Sequence, residues 1–374
     1  MIFCTIVGFA VLYSTQPLLP LLASDWNRSI DDLALLTTAT MIPLAFAPLI
    51  YGYVLEHIST KHLLTGAFAL LTGAQLLLGL GPDYPVFLAL RTVQGLILPA
   101  IFTALMTYSS AAGGSDATRR NITVYIASTI IGGYLGRVLS GLLTDWHSWQ
   151  AALAFWAVAA AFATILTTRL ASDPRLRLGK VRLAEIRALA GRPVYAEGLA
   201  SAFLLFFVFA ALLNFLPFHM RDNDAGISQS EIALVYTGYL VGAVISLGSL
   251  RLIRALGGER RTLVAGSLVY LFGTALFALP GNTAAYASML VFAAGMFTLH
   301  SVLSAFLNHL ESERKGLVNG LYVSSYYAGG ALGSYFPGFL YQSAGWPEFI
   351  GLLLALLLIL TWLSLMLRHE PGMH

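Results

Sequence analysis

Long apolar runs separated by short polar links make up most of the chain. A helix needs about 20 mostly apolar residues to cross the hydrocarbon core of a bilayer. The runs predict transmembrane helices, numbered here as spans 1 to 12, near residues 2–23, 32–54, 63–81, 84–108, 121–143, 149–170, 197–219, 229–250, 262–280, 284–307, 316–341 and 346–367. Turn-forming residues occupy several links, as in Gly81-Pro82-Asp83. The pattern therefore predicts an all-α membrane protein with twelve transmembrane helices.

The composition agrees with a lipid environment. Charged residues make up 10% of the 374 residues and hydrophobic residues 57%, whereas a soluble domain averages about 25% charged residues. Because Cys4 is the single cysteine, no intrachain disulfide can form. The sequence contains neither a phosphate-binding glycine-rich motif nor a metal-ligand cluster. We therefore expect a protein of the lipid bilayer that is not an enzyme and has no cofactor, metal or nucleic-acid partner.

The longest link, residues 171–196, is strongly basic and divides the chain near its middle. Basic residues mark the cytoplasmic side of a membrane protein. Most of the 21 lysines and arginines lie in this link or in others after even-numbered spans, and the opposite links hold Arg28 and Arg221. We therefore expect both termini in the cytoplasm. The predicted organisation is an N-terminal six-helix bundle over 1–170, a cytoplasmic linker over 171–196 and a C-terminal six-helix bundle over 197–374.

An internal repeat relates the two predicted bundles. The segment GGYLGRVLSGLLTDWHSW (132–149) aligns without a gap with GGALGSYFPGFLYQSAGW (329–346) and so pairs span 5 with span 11. Convergence on small residues would not easily place Trp149 and Trp346 in the same register, and we infer a duplication of six spans, which suits a transporter with two rocking halves. Small residues allow close helix packing in membranes. The candidate helix-packing residues are Gly132, Gly136, Gly141, Gly329 and Gly333.

The link after span 2 carries a motif of a known family. Gly52 is followed four positions later by Glu56 and then by Lys61, and the link after span 8 repeats part of this pattern with Arg254. This resembles the loop motif of the major facilitator superfamily. In that family the loop is a latch on the cytoplasmic side, which makes Gly52, Glu56, Lys61 and Arg254 candidate latch residues. The alternative is simple anchoring of basic links at the membrane surface.

Two further motifs lie inside predicted spans. Arg91 and Gly95 of span 4 resemble the superfamily's motif of an arginine followed four residues later by glycine. The segment 132–141 of span 5 resembles the motif typical of its antiporters. That pattern has Gly-Pro where this chain has Gly136-Arg137, a chemically large departure.

The combination of Gly136-Arg137 with His300-Ser301 and Tyr326-Tyr327 resembles the YnfM-type branch of the superfamily, which lies near its drug and arabinose efflux permeases. The resemblance covers the whole chain. It implies a secondary transporter of the bacterial cytoplasmic (inner) membrane, monomeric and working by alternating access, that exports a small organic solute in exchange for protons. The alternatives are an importer or uniporter of the same fold and a non-transporting membrane receptor or lipid-handling scaffold.

Two arginines lie inside predicted spans, where a charge is expensive. Arg91 either belongs to the coupling network, as the resemblance implies, or bonds to backbone carbonyls of a neighbouring helix. Arg91 and Arg137 together predict an outer cavity with fixed positive charge that favours anionic, zwitterionic or carbonyl-rich substrates. The alternative is that Arg137 pairs with Asp25 or another acid at the outer rim and holds helices together. Cationic substrates are disfavoured because no acid lies in the middle third of a predicted span.

The remaining candidates concern proton coupling and substrate contact. His300 is the one histidine deep in a predicted span, so it is a candidate proton carrier, with a packing role as the alternative. Asp25 and Arg91 are the other coupling candidates. Tyrosines and amides give a cavity stacking surfaces and hydrogen bonds. The candidate substrate-cavity residues are Tyr13, Gln16, Tyr134, Arg137, Asn214, Tyr236, His300, Tyr322 and Tyr326.

Overall fold

The structure is a computed structural model that describes residues 1–111, 115–170, 183–311 and 315–367. Within these ranges the regular structure is helical and contains no strand. The first part of the chain forms α1 (Ile2–Tyr13), a 3-10 helix (Gln16–Leu18), α2 (Leu19–Trp26), α3 (Ile30–His57), α4 (Thr60–Gly79), α5 (Tyr84–Ala111), α6 (Ser115–Trp146) and α7 (Trp149–Thr168).

The rest of the described chain continues this helical pattern. Its elements are α8 (Leu183–Ala190), α9 (Pro193–Asn223), α10 (Gln229–Leu234), a 3-10 helix (Val235–Leu240), α11 (Val241–Leu256), α12 (Glu259–Leu276), α13 (Asn282–His309), α14 (Lys315–Gly333), α15 (Pro337–Ala344) and α16 (Trp346–Met366). The short helix α8 and the first residues of α9 lie inside the segment predicted as a linker. That segment is therefore partly helical.

Nine helical segments of the described chain are long and apolar enough to cross a membrane. The other three predicted spans correspond to α3, to α12 and to the pair α14 and α15. Helix α12 is 18 residues long and begins with charged residues, and α15 begins at Pro337 after an irregular turn. Since all predicted spans are helical, the all-α membrane fold predicted from the sequence is confirmed.

Span 1 is interrupted rather than continuous. Helix α1 ends at Tyr13, and the chain passes through Ser14 and Thr15 into a 3-10 helix before α2 begins. Pro17 and Pro20 follow at once, and a proline has no N–H to donate to the carbonyl four residues earlier. The interruption therefore leaves the last carbonyls of α1 without donors from their own helix.

The chain divides into two compact units. Unit 1 combines Met1–Gly179 with Leu216–Thr237, and unit 2 combines Lys180–Phe215 with Gly238–His374. The division passes through α9, so the C-terminal end of α9 and the whole of α10 belong to unit 1. Residues that are distant in sequence, in α1, α6 and α10, are therefore neighbours in one unit.

In unit 1, glycines of α6 allow a close approach to α1. A Cβ atom placed on Gly132 would meet the backbone of Ile6, and one placed on Gly136 would meet the backbone of Ala10. A larger residue at either position would push the two helices apart, because the atoms in the way are main-chain atoms.

Unit 2 contains the same arrangement between α9 and α14. A Cβ on Gly329 would meet the carbonyl of Phe203, and one on Gly333 would meet that of Phe207. Gly329 and Gly333 align with Gly132 and Gly136 at an offset of 197 residues. Phe203 and Phe207 lie at the same offset from Ile6 and Ala10. Equivalent atoms thus meet in each unit, which supports the inferred duplication.

Candidate functional site

The interruption of span 1 places polar side chains in the interior of unit 1. Ser14, Thr15 and Gln16 are buried there, and 3% of Gln16 is exposed. Prolines on the C-terminal side of this segment keep it from joining α1 in one regular helix. The segment can therefore present side chains and carbonyl groups that an unbroken helix would bond internally.

Arg137 lies opposite this segment on α6, with 1% of its surface exposed. Its Nε donates to the side-chain oxygen of Gln16 at 2.7 Å, and its Nη1 donates to the carbonyl of Gly133 at 2.9 Å. Both of these acceptors are neutral. The close approach of α1 and α6 allows the arginine to reach Gln16, 121 positions away in sequence.

Two tyrosines cover the guanidinium of Arg137. Its central carbon lies 4.1 Å from the ring centroid of Tyr13 and 4.9 Å from that of Tyr236. A cation over an aromatic ring is stabilised by the ring's electrons, by about 2 kcal/mol when both are desolvated. The structure thus brings four predicted substrate-cavity residues, Tyr13, Gln16, Arg137 and Tyr236, into one cluster, named here the Arg137 cluster. Tyr134 is half-buried on the same helix as Arg137.

Contacts between α6 and α10 position Tyr236. The carboxylate of Asp145, near the end of α6, accepts the backbone N–H of Gln229 at 3.1 Å and that of Ser230 at 2.7 Å. A carboxylate at a helix N-terminus is favoured by the unpaired amides and by the helix dipole. A Cβ on Gly141 would meet Ala233, so glycine is needed for this contact too. These contacts hold α10 and the following 3-10 helix against α6.

Gln229 also bonds to the interrupted part of span 1. Its amide, oriented by its neighbours, donates to the carbonyl of Pro17 at 3.1 Å and accepts from Arg221. This amide therefore links the start of α10 to the segment that carries Gln16.

Arg91 of α5 is also buried, and its bonds are those of a structural cap. It donates to the carbonyls of Leu36 at 3.2 Å, Leu12 at 2.9 Å and Val11 at 3.3 Å, and to the side chain of Gln94 at 2.8 Å. Two of these carbonyls are in the last turn of α1, where the interruption removes the usual donors. This geometry favours the packing role that the sequence left open, while the coupling role stays a prediction.

Gln94 extends this network through two more helices. Its amide donates to the side chain of Gln75 at 2.6 Å, and Gln75 donates to the carbonyl of Leu153 at 3.2 Å. The chain of bonds joins α5, α4 and α7. The guanidinium is thereby held in a polar path within an otherwise apolar bundle.

Unit 2 gathers the histidine and tyrosine candidates into a second cluster. Nδ1 of His300 lies 2.8 Å from the hydroxyl of Tyr322, and the ring of His300 lies 4.8 Å from that of Tyr326. Tyr326 in turn stacks on Phe206 at 3.8 Å between centroids. Helices α9, α13 and α14 therefore supply one aromatic cluster, named here the His300 cluster.

Asn214 makes its bond at the interruption of span 11. Its amide donates to the carbonyl of Ser334 at 2.9 Å, and both residues are buried. Ser334 aligns with Arg137 in the repeat register. At this position of the repeat, unit 1 has the buried guanidinium of Arg137, whereas unit 2 has a serine whose carbonyl accepts from the amide of Asn214.

Asp25 bonds to a residue other than the one considered in the sequence analysis. Its Oδ2 accepts the indole N–H of Trp149 at 2.9 Å. The carboxylate therefore ties α2 to α7, and its coupling role stays a prediction.

Two of the latch candidates, Gly52 and Glu56, lie among residues 47–56, whose side chains are outside the described part of the chain. Lys61 is half-buried in the first turn of α4. Arg254 donates to the carbonyl of Leu250, one turn earlier in α11. The latch accordingly stays a prediction.

The sequence analysis did not single out Thr15 or Asp145. The run Ser14-Thr15-Gln16-Pro17, polar residues followed by proline inside an apolar span, is a signal for the interruption that buries Thr15. Asp145 gives no such signal, since its partners are backbone amides on a distant helix.

Residues 1–310 and 222–374 match the family model described as the Major Facilitator Superfamily. The inner membrane transport protein YnfM of Escherichia coli (strain K12) is 28% identical over 371 residues, which cover 95% of this chain and 86% of that protein. The uncharacterized MFS-type transporter YybF of Bacillus subtilis (strain 168) is 25% identical over 365 residues, covering 95% and 89%.

A solved structure of the nucleoside transporter NupG, determined as a variant, covers 98% of both chains with a TM-score of 0.83 at 13% identity. At this identity the similarity concerns the fold. The family match spans the whole chain, and the relatives align over nearly all of it. This chain therefore belongs to the Major Facilitator Superfamily and is a multi-pass membrane transporter.

Proposed function

We propose that this transporter exports a small organic solute in exchange for protons, by alternating access, as a monomer in the bacterial cytoplasmic membrane. The antiporter-type motif of span 5 supports export as the direction of solute transport. The basic links after even-numbered spans support cytoplasmic termini.

The observation that carries the proposal is the burial of Arg137 beside the interruption of span 1. A charge inside the membrane is expensive and marks a substrate or ion pathway by default. Interrupted helices supply such sites in many transporters, because their free backbone and side-chain groups face the substrate. Arg137 is bonded to a neutral amide, which a substrate can replace without leaving a charged group unpaired.

The His300 cluster is the proposed route for the proton. His300 is hydrogen-bonded to the hydroxyl of Tyr322, so a proton can pass between the two side chains without a change in backbone conformation. Histidine is also the side chain suited to exchange a proton at physiological pH. The acids of the described helices stand near helix ends, as Asp25, Asp145 and Glu348 do.

Solute accumulation in proteoliposomes tests the proposal. The purified chain is reconstituted, and uptake of labelled benzoate, alanine, glucose and ethidium is measured with the lumen made acidic or alkaline. An antiporter accumulates its solute in an acidic lumen, because protons leave as the solute enters. Accumulation in an alkaline lumen would instead establish symport, and uptake indifferent to the gradient would establish a uniporter.

Two histidine variants assign the proton carrier. His300→Gln should keep solute exchange without a gradient and lose its acceleration by an acidic lumen. His219→Gln is the matched control, since His219 lies near the C-terminal end of α9 and contacts Asn223. Gradient-driven transport that survives in His300→Gln would remove His300 from the mechanism.

A further inference from the structure

We propose that the His300 cluster binds its proton at Nε2 of His300, and that Tyr322 is a positioning residue that keeps a hydrogen on Nδ1 of the same ring. This inference rests on the proposed function, because it names the atom at which the proposed proton carrier works. A neutral imidazole carries its hydrogen on one of two nitrogens, and the hydrogen bonds around the ring decide which one. The geometry of the cluster gives His300 and Tyr322 separate roles.

The hydroxyl of Tyr322 lies between two groups of His300. Its oxygen is 2.8 Å from Nδ1 and 3.3 Å from the backbone carbonyl oxygen. A carbonyl oxygen can only accept, whereas a tyrosine hydroxyl can donate one hydrogen bond and accept another. If the hydroxyl donates to the carbonyl and accepts from a protonated Nδ1, both bonds form. If it donates to Nδ1 instead, the bond to the carbonyl is lost, so the number of bonds favours hydrogen on Nδ1.

The internal repeat supports the same direction independently. Tyr322 aligns with Tyr125 in the register that pairs span 5 with span 11. Helices α5 and α13 are both 28 residues long, and their first and last residues are offset by 198 positions. At this offset His300 corresponds to Phe102. In unit 1 the hydroxyl of Tyr125 donates to the carbonyl of Phe102 at 3.3 Å.

This equivalent bond fixes which partner is the donor. Phenylalanine has no ring nitrogen, so the hydroxyl in unit 1 has the backbone carbonyl as its acceptor. The hydroxyl of Tyr322 lies at the same distance, 3.3 Å, from the carbonyl of His300. When the bond to the carbonyl is kept in unit 2, the hydroxyl oxygen of Tyr322 is left to accept from Nδ1.

The other ring nitrogen is the atom that can exchange a proton. Nε2 of His300 makes no hydrogen bond to any residue that the structure describes, and His300 is half-buried rather than enclosed. With hydrogen on Nδ1, the lone pair of Nε2 accepts a proton from water and the ring becomes an imidazolium; release returns the proton to water. Neither step breaks the bond to Tyr322, which becomes stronger when its donor is charged.

The surroundings of His300 leave this bond as the main control of its protonation. The titratable side chains in contact with the ring are Tyr322 and Tyr326 of α14. Within the described ranges, neither a carboxylate nor a cationic side chain is bonded to His300. The neighbours from α9, α11 and α12 are uncharged: Phe206 beside Tyr326, Ser246 beside Ser301, and Gly266 beside Thr298.

The test reads the position of the hydrogen directly. The full chain is labelled with nitrogen-15 histidine, placed in lipid nanodiscs and studied by NMR at alkaline pH. The signal of His300 is identified among those of the eight histidines as the one missing from His300→Gln. We expect hydrogen on Nδ1 and none on Nε2. Lowering the pH should add hydrogen at Nε2 and leave the hydrogen on Nδ1 in place.

Two tyrosine variants separate positioning from packing. Tyr322→Phe keeps the ring and removes the hydroxyl, so the ratio of the Nδ1–H form to the Nε2–H form should fall on the order of 3- to 10-fold. The pH midpoint of gradient-driven transport should move down by about half to one unit, because the lost bond favours the imidazolium. Tyr125→Phe is the matched control, since it loses the equivalent bond to a carbonyl in unit 1. It should change neither the ratio nor the midpoint.

The inference is overturned if native His300 carries its hydrogen on Nε2 at alkaline pH, or if Tyr322→Phe leaves the ratio unchanged. The native spectrum remains decisive even where a variant fails to fold. If the spectra agree with the inference but His300→Gln keeps gradient-driven transport, the proposed proton route is wrong and the role of Tyr322 stands. If His300→Gln loses gradient-driven transport while native His300 has hydrogen on Nε2, the reverse holds.

Discussion

Replacing Thr15 by valine should stabilise the ligand-free protein, although threonine to valine usually destabilises a buried site. Valine has nearly the shape of threonine, so the change removes a hydroxyl and little else. At Thr15 this hydroxyl is buried without an acceptor. At Thr274, by contrast, the hydroxyl donates to the carbonyl of Tyr270 at 2.9 Å.

The expected magnitudes follow from the cost of an unmade bond. A satisfied intramolecular hydrogen bond contributes about 0.5–1.5 kcal/mol, and a buried unsatisfied group costs about 1–3 kcal/mol. Thr274→Val should therefore lower the free energy of unfolding by about 1 kcal/mol. Thr15→Val should raise it by a similar amount, so that the two variants lie on opposite sides of the native protein.

Steric trapping in nanodiscs measures the free energy of unfolding of all three proteins. If Thr15→Val loses as much stability as Thr274→Val in the absence of ligand, the hydroxyl is bonded in the free protein. The conclusion that the Thr15 hydroxyl is buried without an acceptor would then be wrong.

Three further substitutions, one of them with a matched control, probe the packing and the polar contacts. Gly136→Ala should abolish the close contact of α6 with Ala10 and destabilise the protein by several kcal/mol. Gly66→Ala is its control and should be neutral or slightly stabilising, since open space surrounds Gly66. Thermal melting in detergent compares the two variants. Arg91→Gln should destabilise the protein by roughly 2–4 kcal/mol through loss of several buried bonds, and a native melting temperature would contradict its role as a cap. Asp145→Asn keeps one acceptor oxygen and loses the negative charge at the start of α10, so the protein should lose about 1–2 kcal/mol of stability. Thermal melting measures this loss, and an unchanged melting temperature would show that the contact adds no stability.

Much of the fold could be predicted from the sequence because the bilayer imposes a simple rule on it. Each crossing needs a helix of nearly fixed length, so apolar runs reveal spans directly. The exceptions have local causes. Span 1 is interrupted beside Pro17, and span 11 resumes as a helix at Pro337. Prolines in the sequence indicate bends, but not which of them ends a helix.

The candidate site was predictable in its members and less so in its contacts. The sequence named Tyr13, Gln16, Arg137 and Tyr236 from residue type and depth, and the structure places them together. It did not reveal that Thr15 lacks an acceptor. The carbonyl of Val11, four residues before Thr15, accepts instead from Arg91, which lies 80 positions further along the chain.

The sequence by itself indicated that the protein lies in a lipid bilayer, how many crossings to predict and that the two halves are related by duplication. Each of these follows from local composition or from a repeated sequence register. Tertiary structure alone decided what each buried charge meets. Arg91 meets the carbonyls at the end of α1, and Arg137 meets a neutral amide between two rings. The physical reason is that a guanidinium in a membrane takes whichever acceptors its neighbouring helices leave unbonded, and these depend on where a distant helix breaks.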